Sequence, residues 1–334
     1  MKAYILSTGN ISPQHSMDIN TFFHSRNETS DRFISALEPD YATFIDSKMI
    51  RRMSRIVKMG VAASKICLQK AAVEMPAAIL TATAYGCLED SASFLRRMIE
   101  FDEQMLSPTA FIQSTHNTVG AQIALLLKCH QYNNTIVHRA FSFENALSEC
   151  SLLLKEGIAP ILVGAIDEIT NDRQAILSRF GLYKKNSGNI AGEGAAFFLL
   201  SKEAGNDYQA VLNAVQTFYK PVIAKEDILK FFTSSNGITD QPGLILHAKT
   251  GNNKSKEKNY QVLKSVFPDT PEFPFKSLCG DYPTSSGFAV WLASLLLKEQ
   301  RAPAWMRDIQ FPLKNILIHQ QDGSYQSFIS ISSS

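Results

Sequence analysis

Apolar and polar residues alternate along this chain in blocks whose period shifts between two and nearly four, and the shifts mark the elements. Residues 3–7 form a short apolar run that turns at Gly9 and Asn10, which predicts a buried strand. Over residues 47–73, Met49, Met53, Ile56, Val57, Gly60, Val61, Ser64, Ile66 and Cys67 recur at helical spacing, so one helix is expected there, ended by Pro76. AAILTATAYG then reads as a β-branched strand running into a turn. Residues 88–100 suit an amphipathic helix closing on Arg96 and Arg97. Ser107 and Pro108 open another, since proline's missing N–H costs least in a first turn. That helix is expected to continue through FIQSTHNTVGAQIALLL. A strand at 135–137, a helix at 144–155 and a strand at 161–164 complete a β-α-β pattern.

A second half begins near Tyr208. Residues 209–219 read as a strand, 224–235 as a helix, GLILHAK as a strand and KSLCG as a further short strand. A long helix is expected over 284–299, and NILIHQQDGSYQSFISIS reads as a hairpin around Asp322 and Gly323. Stretches 183–190 and 249–258 have the composition of loops. Apolar strands alternating with helices argue for a layered α/β fold. The similar order of elements in the two halves suggests an internal duplication, divided into 1–205 and 206–334.

Composition narrows the function classes. The 334 residues are 45% hydrophobic and 19% charged, with a formal net charge of +2 and a pI near 8.2. No face-sized basic excess is available for nucleic acid or a membrane surface. The start, MKAYILSTGNIS, is too short an apolar stretch for a secretory signal, and no run reaches the length of a membrane span. A soluble, cytoplasmic protein is expected. Cys67, Cys87, Cys129, Cys150 and Cys279 include no CxxC pair, so neither a zinc site nor a redox dithiol is implied and no cofactor or metal is expected.

Three segments invite a chemical reading. GEGAAFFLL (192–200) is glycine-rich but runs into a strand; a dinucleotide fingerprint opens a helix, so the small residues instead let backbones approach within a packed layer. KTGNNKSKEK can be a nucleic-acid or carrier-protein contact, or a solvated loop; it has no aromatics, which favours the loop. HRAFSFENALSEC leaves a strand, crosses a polar turn and enters a helix, a place where enzymes present nucleophiles to a helix N-terminus. Ser142 and His138 can be read there as nucleophile and base, or Ser142 simply as an N-cap, the simpler reading in the absence of an orienting carboxylate.

Taken in order, several segments resemble the β-ketoacyl synthases of the thiolase-like superfamily. RRMSRIVKMGVAASKICLQKA is similar to the helix after their first strand region, and LSPTAFIQSTHNTVGAQIALLL to their dimer-interface helix. IAPILVGAIDEIT resembles the central strand after the nucleophile helix, and GNIAGEGAAFFLLSKE the Gly-Glu/Asp-Gly-Ala strand that ends the first half. The resemblance implies a five-layer α-β-α-β-α fold from two duplicated halves. In that family a cysteine thiolate takes an acyl group from a carrier protein and two histidines support decarboxylation and enolate formation. Here the nucleophile position falls at Ala140 or Phe141. The first histidine, from a His-Gly-Thr motif, falls in LHAKTGNN, with His247 slightly out of register. The second, from a Lys…Gly-His motif, matches KSLCGD: Lys276 and Gly280 persist and Asp281 stands for the histidine. HQQDGSYQS replaces the family's glycine-rich loop near the C-terminus.

The resemblance therefore implies a catalytically degenerate ketosynthase of the chain-length-factor kind, working in acyl-carrier-dependent fatty acid, polyketide or aryl-polyene-type biosynthesis. Its expected partners are an active ketosynthase, as a heterodimer, or a second copy, with an acyl carrier protein possible. Phe111, Thr115, His116, Asn117, Val119 and Ile123 are the expected dimer and acyl-pocket residues. The alternatives are an acyltransferase or hydrolase of altered chemistry using Ser142 and His138, and a homodimeric acyl-binding protein.

Overall fold

Strand pairing repeats itself along the chain. The computed structural model describes residues 2–28, 31–183, 188–205, 207–234, 241–251 and 254–333. Five strands come first: β1 (Ala3–Ile11), β2 (Ala78–Ala82), β3 (Tyr132–Ile136), β4 (Ile161–Asp167) and β5 (Gly194–Ser201). They lie in the order β3-β2-β4-β5-β1, with β2 parallel to β3 and β4, and β5 antiparallel to β4 and β1. The next five are β6 (Ala210–Tyr219), β7 (Leu244–His247), β8 (Glu272–Pro274), β9 (Asn315–Asp322) and β10 (Tyr325–Ser332). Their order is β8-β7-β9-β10-β6, with the same senses at equivalent places. Ala3, Tyr4 and Ile5 of β1 pair with Leu212, Val211 and Ala210 of β6, which joins the two sets.

Among the described residues, the first half carries α1 (Ile19–His24), α2 (Ser47–Ile50), α3 (Arg55–Lys70), α4 (Leu88–Glu100), α5 (Pro108–Gln113), α6 (Thr118–Leu127), α7 (Ser142–Lys155) and α8 (Asn171–Arg179). The second carries α9 (Lys225–Ser234), α10 (Lys254–Val266), α11 (Lys276–Cys279) and α12 (Ser286–Glu299). Three apolar clusters give the layers. Ile56, Val61, Val119 and Ile123 of α3 and α6 cover one face of the first five strands through Phe197 and Leu199 of β5. Phe198, one residue on, points to the other face, as the period-two alternation of a strand requires, and packs with α7 and α12. Residues 286–297 of α12 are buried all round, which is why FAVWLASLLL shows no polar stripe: the helix lies between the two sets of strands. Ile228 and Phe231 of α9, Leu263 of α10 and Phe267 just after it cover the far face against Ile245, Leu317 and Phe328. The stack is α-β-α-β-α, as the resemblance implied.

Local chemistry accounts for the departures from expectation. The helix expected over 47–73 is two, α2 capped by Asp46 and α3 beginning after Ser54. The helix expected over 108–127 is also two. Between α5 and α6, Ser114 Oγ donates to the Phe111 carbonyl, and Thr115 Oγ1 donates to the Ile112 carbonyl and lies 2.7 Å from Asn117 Oδ1. Side chains that compete for backbone groups interrupt the helix there. KSLCG is not a strand but the single turn α11, closed by Gly280 at φ 76°. Helices α1, α8 and α10 and strand β8 were not expected. Residues 184–187 and 252–253, within the two loop-like stretches, lie outside the described residues; Lys254 onward is helical rather than looped. Among the described residues, no helix is long and apolar enough to cross a membrane.

Candidate functional site

The turn from β3 into α7 is where the family resemblance places a nucleophile. After Ile136 the chain passes Val137 and His138, makes a 3-10 turn over Arg139–Phe141, and enters α7 at Ser142. Arg139 adopts φ 48°, a positive value uncommon for residues that carry a Cβ. Ala140 and Phe141 are buried. The Phe141 ring stacks on His138 at 5.5 Å and meets Tyr325 edge-on at 5.1 Å. Neither side chain can carry an acyl group.

Ser142 and His138 do not form a nucleophile–base pair. The fully buried Ser142 Oγ accepts from the His138 backbone N–H at 2.8 Å and lies 2.9 and 3.0 Å from the carbonyl oxygens of Thr83 and Arg139. Its contact with His138 is to the main chain, while the imidazole is engaged with rings. Nor is Ser142 the N-cap of α7, a position held by Phe141; its hydroxyl ties the turn backwards rather than serving the helix amides ahead of it.

Period-two alternation decides the first histidine. Leu244, Leu246 and Ala248 face the central layer, while Ile245 faces the outer one. His247 shares the outer face, 5.1 Å from the Tyr260 ring of α10. Its Nδ1 accepts from the Lys249 N–H, and burial, with His319 and Lys249 nearby, pushes its pKa down to about 3. His247 therefore packs on the outer face as a neutral imidazole and does not line the cavity described below.

Where the resemblance expects the second histidine, the structure holds an ion cluster. Asp281 Oδ1 is 2.6 Å from Lys276 Nζ and Oδ2 is 3.0 Å from Lys256 Nζ. Lys276 is fully buried and also donates to the Gln321 carbonyl. Burial alone would raise the Asp281 pKa; the two ammonium groups, Lys276 above all, outweigh it and hold the carboxyl well below the usual carboxylate range. The turn α11 makes this possible, because an extended strand of five residues would carry Lys276 about 16 Å from Asp281. Two glycines seat it: a Cβ on Gly192 would lie 1.8 Å from the Cys279 carbonyl oxygen, and one on Gly280 2.5 Å from Gly192 Cα. The small residues of GEGAAFFLL do bring backbone against backbone, at the edge of the site.

Other members of the site were not singled out in the sequence. Lys256 belongs to the stretch read as a solvated loop, yet it is buried on α10. Glu144, in the first turn of α7, is fully buried and accepts from Ser327 Oγ at 2.9 Å. Asp167 ends β4 and accepts from the Ala84 N–H at 2.8 Å and from Thr83 Oγ1 and Thr284 Oγ1, tying β2, β4 and the start of α12 together. A cavity of about 280 Å³ opens over the α7 turn, lined by Arg139, Arg173, Lys256, Asp281, Asp322 and Tyr183 among others. All five cysteines are buried, and burial pushes the Cys67 thiol up to about 12 and Cys150, on α7 itself, higher still. Among the described residues, no group of three or more His, Cys, Asp or Glu is placed to hold a metal.

The expected dimer residues divide. Val119 and Ile123 are 3% and 1% exposed and pack into the core beneath α3, where a Cβ on Gly60 would touch Val119 at 2.5 Å. They are not surface residues, because the break at 114–117 sets α6 inward. Phe111 is 58% exposed, as are Ile112 at 60% and Leu125 at 67%; His116 and Asn117 are exposed and Thr115 half-buried. Leu95, Ile99, Phe101, Met105 and Tyr132 are exposed on the same sequence region, and Tyr132 lies on β3, the last strand at one end of the sheet.

The fold is thiolase-like, and the turn at which the resemblance expects a nucleophile carries Ala140 and Phe141. Residues 24–182 match the family model of the beta-ketoacyl synthase N-terminal domain. No curated protein sequence matches the chain. Among solved structures, it is similar to the ishigamide ketosynthase/chain length factor (TM-score 0.81, 13% identity, covering 100% of this chain and 99% of that one). It is similar also to the ketosynthase ApeO in complex with its chain length factor ApeC from Xenorhabdus doucetiae (TM-score 0.76, 13% identity, 99% and 98%). A third is the AntDE:AntF complex, a type II PKS acyl-carrier protein with its ketosynthase bound to the hexaketide (TM-score 0.76, 15% identity, 100% and 99%). The chain thus has the ketosynthase fold over its whole length.

Proposed function

We propose that this chain is a non-condensing, chain-length-factor-like subunit that pairs with an active ketosynthase in acyl-carrier-dependent biosynthesis of fatty acid, polyketide or aryl-polyene type. The observation that carries the reading is the composition of the condensation site. Ala140 and Phe141 stand at the expected nucleophile turn, and Asp281, fixed between Lys276 and Lys256, at the expected second histidine position. Condensation needs a thiolate to hold the acyl chain and neutral imidazoles to stabilise an enolate. Here the first is missing, and Asp281, tied between two lysines, cannot stand in for a neutral imidazole that donates to the enolate oxygen.

A retained scaffold without that chemistry suits a subunit that acts through a neighbour. The exposed apolar residues on α4, α5 and α6, beside the open edge of β3, offer a surface for one. The similar structures are titled as ketosynthase/chain length factor pairs and as a carrier-protein complex, which supports the same kind of partner here. In this reading the halves are 1–205 and 206–334 and the pair works in the cytoplasm. Co-expression with an intact ketosynthase from the same genome tests the pairing. A one-to-one complex is expected; two separately eluting folded proteins would reject it, and a homodimer would leave the acyl-binding alternative in its place.

A further inference from the structure

The cavity over the α7 turn sets charged groups against apolar wall, and its charges do not cancel. Arg139, Arg173 and Lys256 line it, with Lys276 directly behind Asp281. Against these four cations stand Asp281 and Asp322. Asp281 already holds both lysines, and Asp322 is exposed at the tip of the β9–β10 hairpin. Neither guanidinium is joined by an ion pair to a described carboxylate; Arg173 instead lies over the Tyr85 ring at 4.9 Å. Tyr85, Tyr183 and Asn189 add neutral polar groups, and Leu177, Leu182 and Pro283 add apolar wall.

A second observation concerns the backbone. Arg139 keeps φ 48° although glycine would hold that turn without strain. Strain retained at a residue whose side chain lines a cavity is a pointer to a role for that side chain. A guanidinium is a planar fork that matches the paired oxygens of a carboxylate or phosphate, and two unpaired ones on a half-enclosed cavity concentrate such a group.

We infer that this cavity is an oxyanion site, in which Arg139 and Arg173 hold the carboxylate or phosphate of a small organic molecule. The site is independent of the pairing proposed above, since every residue in it comes from one chain. The apolar wall takes the body of the ligand, and a volume of about 280 Å³ limits it to small-molecule size.

Calorimetric titration of the purified chain with inorganic phosphate and, separately, with malonate tests this, with chloride keeping the ionic strength constant. Saturable binding of at least one is expected: phosphate alone identifies a phosphorylated ligand, malonate alone a carboxylated one. Arg139→Gly and Arg173→Ala should each weaken binding about tenfold or more, as loss of a charge-assisted bidentate contact does. Arg139→Gly carries its own control. Relief of the left-handed strain should raise the melting temperature of the free protein while the anion-induced rise disappears, a pair of changes that misfolding cannot produce. Saturable binding of neither anion, or binding unchanged in both variants, overturns the inference.

Discussion

Glu144 shows how the interior treats charge. Its side chain is fully buried between α7 and β10; Oε1 accepts from Ser327, while Oε2 and the adjacent Ser286 hydroxyl make no hydrogen bond of normal geometry. Burial, outweighing the hydrogen bonds and Lys276, raises its pKa above the ordinary 4.5. A protonated Oε2 donating to Ser286 would answer both atoms. The sign of the pH dependence follows: the native state holds this proton more tightly than the unfolded chain, so its contribution is complete below about pH 4.5 and is lost as pH rises toward the raised value. Glu144→Gln keeps the shape and removes the titration. Its melting temperature should exceed wild type by roughly 2 °C or more at pH 8 and by little at pH 4.5. A variant less stable than wild type at pH 8 would show that the ionised carboxylate is the native form. At this scale the sequence disclosed Asp281, because the motif around it kept its lysine and glycine. It could not disclose Lys256, whose flanking Asn and Lys residues have the composition of a solvated loop and whose partner lies 25 residues further on.

Elements were legible where periodicity alone forms them. Residues 88–100, the β9–β10 hairpin and the long helix into Glu299 follow from their apolar spacing and turn residues. The helix over 108–127 was misread because its apolar positions run on in phase while Ser114, Thr115 and Asn117 divert the backbone. That break changes which residues a partner can meet. Val119 points into the core, so Val119→Asp would bury an unpaired charge at a cost of about 3–5 kcal/mol and should collapse the thermal melt rather than merely separate subunits. Ile112→Lys and Leu125→Lys alter exposed positions and should keep the melt within about 2 °C of wild type, since such changes cost little. Both should nevertheless weaken association with the ketosynthase in sedimentation. A stably folded Val119→Asp protein, or full association in both lysine variants, would contradict this division of core from interface.

At the scale of the whole molecule, the duplication is plain in the topology and hidden in the sequence. Each set of five strands takes the same order and the same senses, yet neither half repeats the other's residues, because burial asks only for apolar character on alternate positions. The same tolerance lets a scaffold keep its shape under different site chemistry, and the proposed function takes Asp281 and its two lysines as such a replacement, seated without disturbing α12 or the strands beside it. If that is so, this chain supplies shape and surface while another subunit forms the carbon–carbon bond. Intact-mass analysis after incubation with acyl- and malonyl-carrier protein, with carbon dioxide release followed in parallel, tests this most directly. The chain alone should stay at its unmodified mass and release no carbon dioxide above the carrier-only background. An acyl adduct on Ser142 or on any cysteine, or decarboxylation above background by the chain alone, would contradict it.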